Sequence, residues 1–277
     1  MVKKNDLHLH LISDSTGETV HQFARAGLAQ FPDTNITEHI WTLVRNKAHI
    51  DAIERNLEKN PGVVLFSVVN KEVREMLESL CTRRGIPNLS ILDSVVDLFT
   101  NVLGVEQSLR SGAQHKLDTA YFKRMAAVEY AVVHDDGLNI EKLDDADMLL
   151  VGVSRTSKTP TSMYLGHRGF KVANYALVPG VPFPIDKLPE KNIFIVGLTT
   201  DPKRLMQVRK TRLQHLSNSS NPNYADLDII TNEVRDARKL FSKHGWPVID
   251  VSRRSVEEIA ASIIYLYRQW LDQKDNV

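Results

Sequence analysis

The sequence is short of cysteine, of long apolar runs and of net charge, and each shortage excludes a class of protein. Cys81 is the single cysteine among 277 residues, so neither a disulfide within the chain nor a zinc site built on several cysteines is possible. No apolar run approaches the ~20 residues that span a bilayer. Lys plus Arg number 35 and Asp plus Glu 34, and this net charge of +1 gives no general attraction to nucleic acid or to a membrane surface.

Aromatic residues are also few, at 7% of the sequence, which argues against the stacking array that single-stranded nucleic acids need. Only residues 203–212 form a strongly basic segment. We therefore expect no nucleic-acid partner and no membrane partner. The first residues lack a signal-peptide or transit-peptide pattern, and a single cysteine fits a reducing compartment. We expect a cytoplasmic protein in which Cys81 serves packing.

Short apolar runs alternate with helical patterns along the chain, which predicts an α/β protein with parallel sheets. We expect an N-terminal parallel α/β domain over residues 1–108 and a second α/β domain over residues 109–277, with the linker at residues 109–115. The predicted strands are residues 7–12, 36–44, 63–69, 89–92, 148–151, 172–178, 192–198 and 245–251. Residues 217–223 are predicted to form a loop between helices.

The sequence is organised around residues 147–162, which combine a strand, a tight loop and a helix. Residues 148–151 have the length of a buried strand, and Pro160 has the φ angle of a first helical turn. Between them, residues 152–159 read Gly-Val-Ser-Arg-Thr-Ser-Lys-Thr, the order of residues in a phosphate-binding loop. This pattern predicts a P-loop kinase-like second domain.

Each group of such a loop has a physical role in binding phosphate. Backbone N–H groups and the helix dipole form an anion site, Lys158 neutralises the outer phosphates, and the Thr159 hydroxyl ligates a magnesium ion. Ser157 stands where the pattern has a second glycine, and a side chain in that left-handed conformation costs about 1–2 kcal/mol. The alternative is a hydroxyl-rich turn that only caps the helix. The predicted phosphate-binding residues are Gly152, Val153, Ser154, Arg155, Thr156, Ser157, Lys158 and Thr159.

Two other segments are rich in polar groups at the ends of predicted elements. The turn after the first strand is dense in hydroxyls, and it either binds a ligand or caps the next helix. Residues 134–137, His-Asp-Asp-Gly, either form a turn or supply Asp135 or Asp136 as a general base or metal partner. The candidates in the first turn are Ser13, Asp14, Thr16 and Gly17.

The basic residues of 203–212 also have two interpretations. They either cover a solvated helix face, or some of the arginines bind phosphate oxygens in a bidentate manner.

Six motifs in order make the chain resemble a known family. It resembles the bifunctional regulatory proteins of pyruvate, phosphate dikinase, a kinase/pyrophosphorylase family, and their relatives that act on phosphoenolpyruvate synthase. Residues 13–19 and 112–115 have the form of the dikinase branch, where a residue like Ser157 also occurs in the loop. The motifs are residues 12–18, 132–137, 152–162, 173–175, 197–205 and 244–250, so the resemblance covers nearly the whole chain.

The resemblance implies an unusual pair of reactions. ADP, rather than ATP, donates a phosphoryl group to a threonine of the dikinase once the neighbouring catalytic histidine is phosphorylated, and the dikinase is inactivated. Inorganic phosphate then removes the phosphoryl group and leaves as pyrophosphate, which restores activity. The dikinase is the implied partner, and a homodimer is expected from the resemblance alone.

The resemblance also suggests a role for each candidate residue. The loop holds the phosphates of ADP, Lys158 neutralises the transferred group, Arg155 clamps the transition state, and Thr159 binds magnesium. Asp135 or Asp136 acts as base or metal partner, and the turn at residues 13–19 grips the protein substrate. The loop pattern alone also allows a P-loop kinase of a small metabolite, or a nucleotide sensor without catalysis.

Overall fold

The computed structural model describes residues 6–113, 118–189, 193–215 and 222–275, and the chain divides into two compact units, Met1–Lys116 and Leu117–Val277. The predicted domain boundary lies earlier, between residues 108 and 109. Ser111 donates a hydrogen bond of 2.7 Å to Asp14, so this part of the predicted linker contacts the first unit. The predictions for residues 114, 115, 192 and 217–221 lie outside the described residues.

The first unit is a four-stranded parallel sheet in the order β2-β1-β3-β4. Successive residues of β1 point to opposite faces: Leu9 and Leu11 pack with Val20 and Ala24 of α1, whereas Ile12 packs in the larger cluster formed with α2 and α3. Its strands are β1 (Asp6–Ser13), β2 (Asn35–Trp41), β3 (Val63–Ser67) and β4 (Asn88–Ser90), and its helices are α1 (Glu18–Leu28), α2 (Lys47–Lys59), α3 (Lys71–Arg84) and α4 (Asp93–Leu103).

The second unit repeats that strand order, as β6-β5-β7-β8, again all parallel. All six residues of β5 are buried, as expected for a central strand covered on both faces. Its strands are β5 (Met148–Val153), β6 (Val172–Leu177), β7 (Phe194–Thr199) and β8 (Val248–Asp250), and its helices are α5 (Thr119–Val133), α6 (Lys158–His167), α7 (Pro202–His215), α8 (Leu227–His244) and α9 (Val256–Asp275).

These two sheets confirm the predicted fold class, an α/β protein with an N-terminal parallel α/β domain and a second α/β domain. Residues 255–258, Ser-Val-Glu-Glu, have the pattern of a capping box before α9, and the box is present. The backbone N–H of Ser255 donates to the Glu258 carboxylate at 2.8 Å, and the N–H of Glu258 donates to the Ser255 hydroxyl at 3.2 Å.

Two helix starts follow from their first residues. Helix α6 begins at Lys158, so Pro160 lies in the first turn, as predicted, where no N–H partner is needed. Helix α8 begins at Leu227 because Asp226 caps it by accepting from the N–H groups of Asp228 and Ile229. Within the described ranges, no helix has both the length and the apolar character needed to cross a membrane.

The strand order of the second unit determines where a ligand is expected. Strands β6 and β7 lie on opposite sides of β5, which makes the carboxyl end of β5 a topological switch point. Open parallel sheets bind ligands in the crevice at such a point. The loop of residues 154–157 begins there, directly after Val153.

Candidate active site

The predicted strand, loop and helix are all present in the second unit. The loop between Val153 and Lys158 has two non-glycine residues in the left-handed region, Arg155 with φ 72° and Ser157 with φ 58°. Ser157 therefore adopts the conformation expected at the second glycine of the pattern, and its backbone is strained because the residue carries a side chain. Anion binding by this loop stays a prediction.

Gly152 is required by close packing rather than by its φ angle. A Cβ atom at this position would lie 2.6 Å from the carbonyl oxygen of Leu198 and 2.7 Å from Oγ1 of Thr156. The Thr156 hydroxyl donates a hydrogen bond of 2.9 Å to the carbonyl oxygen of Val153. The glycine thus lets the loop fold back tightly over the end of β5.

Lys158 is a buried cation at the first position of α6, with 4% of its side chain exposed. Its ammonium group donates to the carbonyl oxygen of Val153 at 3.1 Å and lies 4.0 Å from Oδ1 of Asp136. Burial lowers the pKa of Lys158 to about 8, although the charges of Asp136 and Asp135 oppose this change. A negatively charged ligand beside Lys158 would raise this pKa and stabilise the charged form further.

Asp135 connects β6 to the start of α6. Its Oδ1 accepts hydrogen bonds from the Thr159 hydroxyl at 2.8 Å and from the side-chain amide of Asn174 at 2.7 Å. The same amide nitrogen of Asn174 also donates to the Ser162 hydroxyl at 3.1 Å. Asn174 is fully buried, so the orientation of the Asp135 carboxylate is fixed.

Asp136 has a different environment from Asp135. Its backbone is left-handed, with φ 48°, and its N–H donates to Oδ1 of Asn174 at 3.1 Å. The side chain is 62% exposed and has Lys158 beside it. The sequence pattern did not distinguish the two aspartates. In the structure, hydrogen bonds hold the carboxylate of Asp135, whereas the carboxylate of Asp136 is accessible.

The donor set around Thr159 suits a hard cation such as magnesium. Thr159 and Asp135 offer a hydroxyl and a carboxylate, the oxygen ligands that magnesium takes. Among the described residues, no group of three or more His, Cys, Asp or Glu is placed to hold a metal. A magnesium ion would therefore depend on phosphate oxygens and water for its remaining ligands, as is usual in phosphoryl-transfer sites.

A second cation supports the loop from α7. Arg209 is fully buried and donates to the Glu233 carboxylate at 2.6 Å and 3.2 Å. It also donates to the carbonyl oxygens of Ser154 at 3.3 Å and Tyr224 at 3.1 Å. The Tyr224 hydroxyl in turn accepts from Nε of Arg155 at 3.2 Å.

Tyr224 is influenced by opposing effects. Burial alone would raise the pKa of Tyr224, but hydrogen bonds with Ser154 and Arg155 and the charges of Arg155 and Arg209 together lower it.

Three residues of this site were not predicted from the sequence, and the environment of a fourth was predicted wrongly. Asn174 lies in the motif of residues 173–175, which gave a signal but no role, whereas Tyr224 and Glu233 gave none. The solvated-face interpretation is wrong for Arg209, because this residue is buried in an ion pair, and phosphate binding by arginines of the segment stays a prediction. The solvated-face interpretation holds for its neighbours, since Lys203, Arg204, Lys210 and Arg212 are exposed.

The candidates in the turn after β1 lie in the first unit, and most of them have internal partners. Oδ2 of the buried Asp14 accepts from the N–H groups of Val69 and Asn70, both at 2.9 Å, and from the Ser111 hydroxyl at 2.7 Å. The Ser13 hydroxyl bonds to Ser67 of β3.

The other two candidates of that turn differ in exposure. Gly17 is buried and left-handed, with φ 81°, at the start of α1, whereas Thr16 is exposed. Contact of these residues with a protein substrate stays a prediction.

Together, the fold and the site describe a two-unit α/β protein whose second unit carries a tight loop, a buried lysine and two aspartates at one switch point. The model of the kinase/pyrophosphorylase family matches residues 9–264. The chain therefore belongs to the kinase/pyrophosphorylase family.

Two relatives extend this match over nearly the full length. A protein from Paramagnetospirillum magneticum is 48% identical over 269 residues, which cover 97% of this chain and 86% of the relative. A protein from Rhizorhabdus wittichii is 48% identical over 263 residues, covering 95% of this chain and 96% of the relative. Both are named as pyruvate, phosphate dikinase regulatory proteins.

Proposed function

We propose that this chain regulates pyruvate, phosphate dikinase by moving a phosphoryl group onto and off a threonine of that enzyme. Support comes from the family match and from the relatives' names. The observation that carries the chemistry is the buried ammonium of Lys158 at the start of α6, beside Asp135 and Asp136. A buried cation at a helix N-terminus favours a phosphate ligand.

In the inactivating direction, the substrate threonine attacks the β-phosphorus of ADP. A bond forms between the threonine oxygen and that phosphorus, the bond to the bridging oxygen breaks, and AMP leaves. The backbone of residues 154–157 and Lys158 bind the phosphate oxygens, and Arg155 binds charge on the transferred group. Magnesium, held with the help of Thr159, would supply further charge neutralisation when bound.

The two aspartates have separate roles in this proposal. Asp136, which is accessible, takes the proton of the attacking hydroxyl. Asp135, which is tethered by Thr159 and Asn174, orients the Thr159 hydroxyl.

In the activating direction, a hydroxyl oxygen of inorganic phosphate attacks the phosphorus of phosphothreonine, and Asp136 takes the proton of that hydroxyl. The bond from phosphorus to the threonine oxygen breaks, pyrophosphate leaves, and Asp136 passes the proton to the threonine oxygen. We assign both reactions to the anion site at Lys158, since the loop N–H groups and the ammonium can bind phosphate oxygens in either direction.

The direct test incubates the protein with ADP and a dikinase phosphorylated on its catalytic histidine. Mass spectrometry should find phosphothreonine, and adding phosphate to the product should release pyrophosphate. Lys158→Ala should abolish both reactions, while Lys210→Ala, at an exposed lysine of α7, should not. Direct use of ATP instead of ADP, or absence of pyrophosphate, would contradict the proposal.

Three further arms test the alternatives. Phosphoenolpyruvate synthase in place of the dikinase tests the substrate, and phosphate transfer to small hydroxyl metabolites tests a metabolite kinase. Regulation of the dikinase by Lys158→Ala with nucleotide bound but without turnover would favour a sensor.

A further inference from the structure

The loop at the end of β5 holds two strained residues, and something must stabilise their conformation. Arg155 and Ser157 have φ angles of 72° and 58°, and each such angle costs about 1–2 kcal/mol for a residue with a side chain. Strain of this kind persists only where the surroundings determine the geometry.

Arg209 and Glu233 form the rigid part of those surroundings. Both Nη atoms of Arg209 bond to the Glu233 carboxylate, which fixes the plane of the guanidinium group. From that position Arg209 reaches the Ser154 carbonyl in the loop. The pair is therefore an anchor that joins α7 and α8 to the loop backbone.

The same anchor fixes Tyr224, which lies in the one-turn 3-10 helix Pro222–Ala225. Arg209 donates to the carbonyl oxygen of Tyr224 at 3.1 Å, and its guanidinium carbon lies 4.8 Å from the centre of the Tyr224 ring. A cation over an aromatic ring is attracted to it. Main chain and ring of Tyr224 are thus both positioned before any ligand binds.

Tyr224 uses its hydroxyl to accept a hydrogen bond from Nε of Arg155. This contact engages only one of the three guanidinium nitrogens. Within the described residues, the two terminal nitrogens of Arg155 donate no hydrogen bond, and these nitrogens can bind two oxygens of one phosphoryl group.

We infer that Tyr224 is a positioning residue, which holds Arg155 by its Nε so that the two terminal nitrogens meet the phosphoryl group during transfer. This inference rests on the proposed function. Pre-positioned donors act mainly where charge develops in the transition state. Loss of the tyrosine hydroxyl should therefore slow transfer more than it weakens nucleotide binding.

The test compares Tyr224→Phe with the unchanged protein, using ADP and histidine-phosphorylated dikinase. Phenylalanine keeps the ring over Arg209 and the main-chain carbonyl, and removes only the hydroxyl. We expect kcat to fall about tenfold, with the KM for ADP and the thermal midpoint nearly unchanged. Tyr265→Phe, on the exposed face of α9, is the matched control and should leave all three values unchanged.

A double-mutant cycle shows whether the effect passes through Arg155. Arg155→Ala alone should reduce kcat, and adding Tyr224→Phe to it should cause no further loss. Additive losses would overturn the inference, as would an unchanged kcat in Tyr224→Phe or a loss that appears as a lower thermal midpoint. Lys158→Ala in the same assay separates the two claims: if it retains transfer, the proposed function itself fails.

Discussion

The Thr159 hydroxyl donates a hydrogen bond of 2.8 Å to Oδ1 of Asp135, and this contact joins the first turn of α6 to the 3-10 turn that follows α5. The same oxygen also accepts from Asn174. Both donors bond to one oxygen, so an asparagine at position 135 can keep both bonds while losing the charge. The contribution of charge can thus be measured apart from that of geometry.

Asp136→Asn should reduce phosphoryl transfer by roughly 10²- to 10⁴-fold, because an amide cannot accept the proton of the attacking hydroxyl. Binding of ADP should persist or become tighter, since a negative charge near the phosphates is removed. Single-turnover formation of phosphothreonine and calorimetric titration with ADP measure the two effects.

Asp135→Asn is the matched variant for that experiment. It should chiefly raise the magnesium concentration needed for half-maximal rate, because the carboxylate orients the Thr159 hydroxyl. If Asp135→Asn removes the rate and Asp136→Asn does not, the roles of the two aspartates are exchanged.

Lys158→Met should stabilise the second unit at pH 7 and remove a pH dependence of its stability. Lys158 has a folded pKa of about 8 against an ordinary value of 10.5. Below pH 8 the group is charged in both states, so its burial destabilises the fold, by on the order of 3 kcal/mol. Between pH 8 and pH 10.5 the unfolded chain binds more protons than the folded chain, so the free energy of unfolding rises with pH.

Urea unfolding at several pH values measures this difference. A Trp41→Phe background leaves Trp246 and Trp270, both in the second unit, as the fluorescent reporters. The exposed Lys210→Met variant is the control. Equal pH slopes for Lys158→Met and the unchanged protein would show that Lys158 keeps its charge up to its ordinary pKa in the fold.

Ser157→Gly should raise the stability of the second unit by up to about 1 kcal/mol, because glycine adopts a positive φ without a steric cost. Ser157 makes no side-chain capping hydrogen bond, so little is lost with its hydroxyl. Ser157→Val should lower the stability, since a β-branched residue is strained at φ 58°. Urea unfolding with the same reporters measures both, and a less stable glycine variant would show that the serine side chain contributes a contact of its own.

Features that depend on neighbouring residues could be predicted from the sequence. The strand, loop and helix around Lys158 follow from a local pattern, and so does the strain expected at Ser157, which has φ 58°. The capping box from Ser255 to Glu258 spans a single turn and is present. In each case the physical cause lies within a few residues along the chain.

Features that depend on distant partners could not be predicted. Arg209 is buried because Glu233, 24 residues later, neutralises it, and the sequence alone shows only a basic helix. Asn174 meets Asp135 across 39 residues. Helix α4 is apolar in sequence but has no buried residue among those described, because a pattern indicates an apolar face without saying what covers it.

The environment of Asp14 leads to the last prediction. The buried carboxylate accepts hydrogen bonds from Val69, Asn70 and Ser111, and the first two of these residues directly precede α3. Asp14→Ala removes the charged acceptor of these three partly buried hydrogen bonds, which should cost the first unit about 2–3 kcal/mol. Asp97→Ala, at an exposed aspartate of α4 in the same unit, should change the stability little and is the matched control.

Cys81 offers a way to measure this loss in the first unit alone. It is fully buried in α3, and burial, together with the charge of Glu78, raises the pKa of its thiol to about 11. A thiol reagent reacts with the thiolate, so labelling requires that the first unit open. In Asp14→Ala the labelling rate should rise roughly 30- to 150-fold, the factor that corresponds to a loss of about 2–3 kcal/mol. An unchanged labelling rate would show that water or a rearranged side chain replaces the carboxylate, and that the turn after β1 does not depend on Asp14 for its stability.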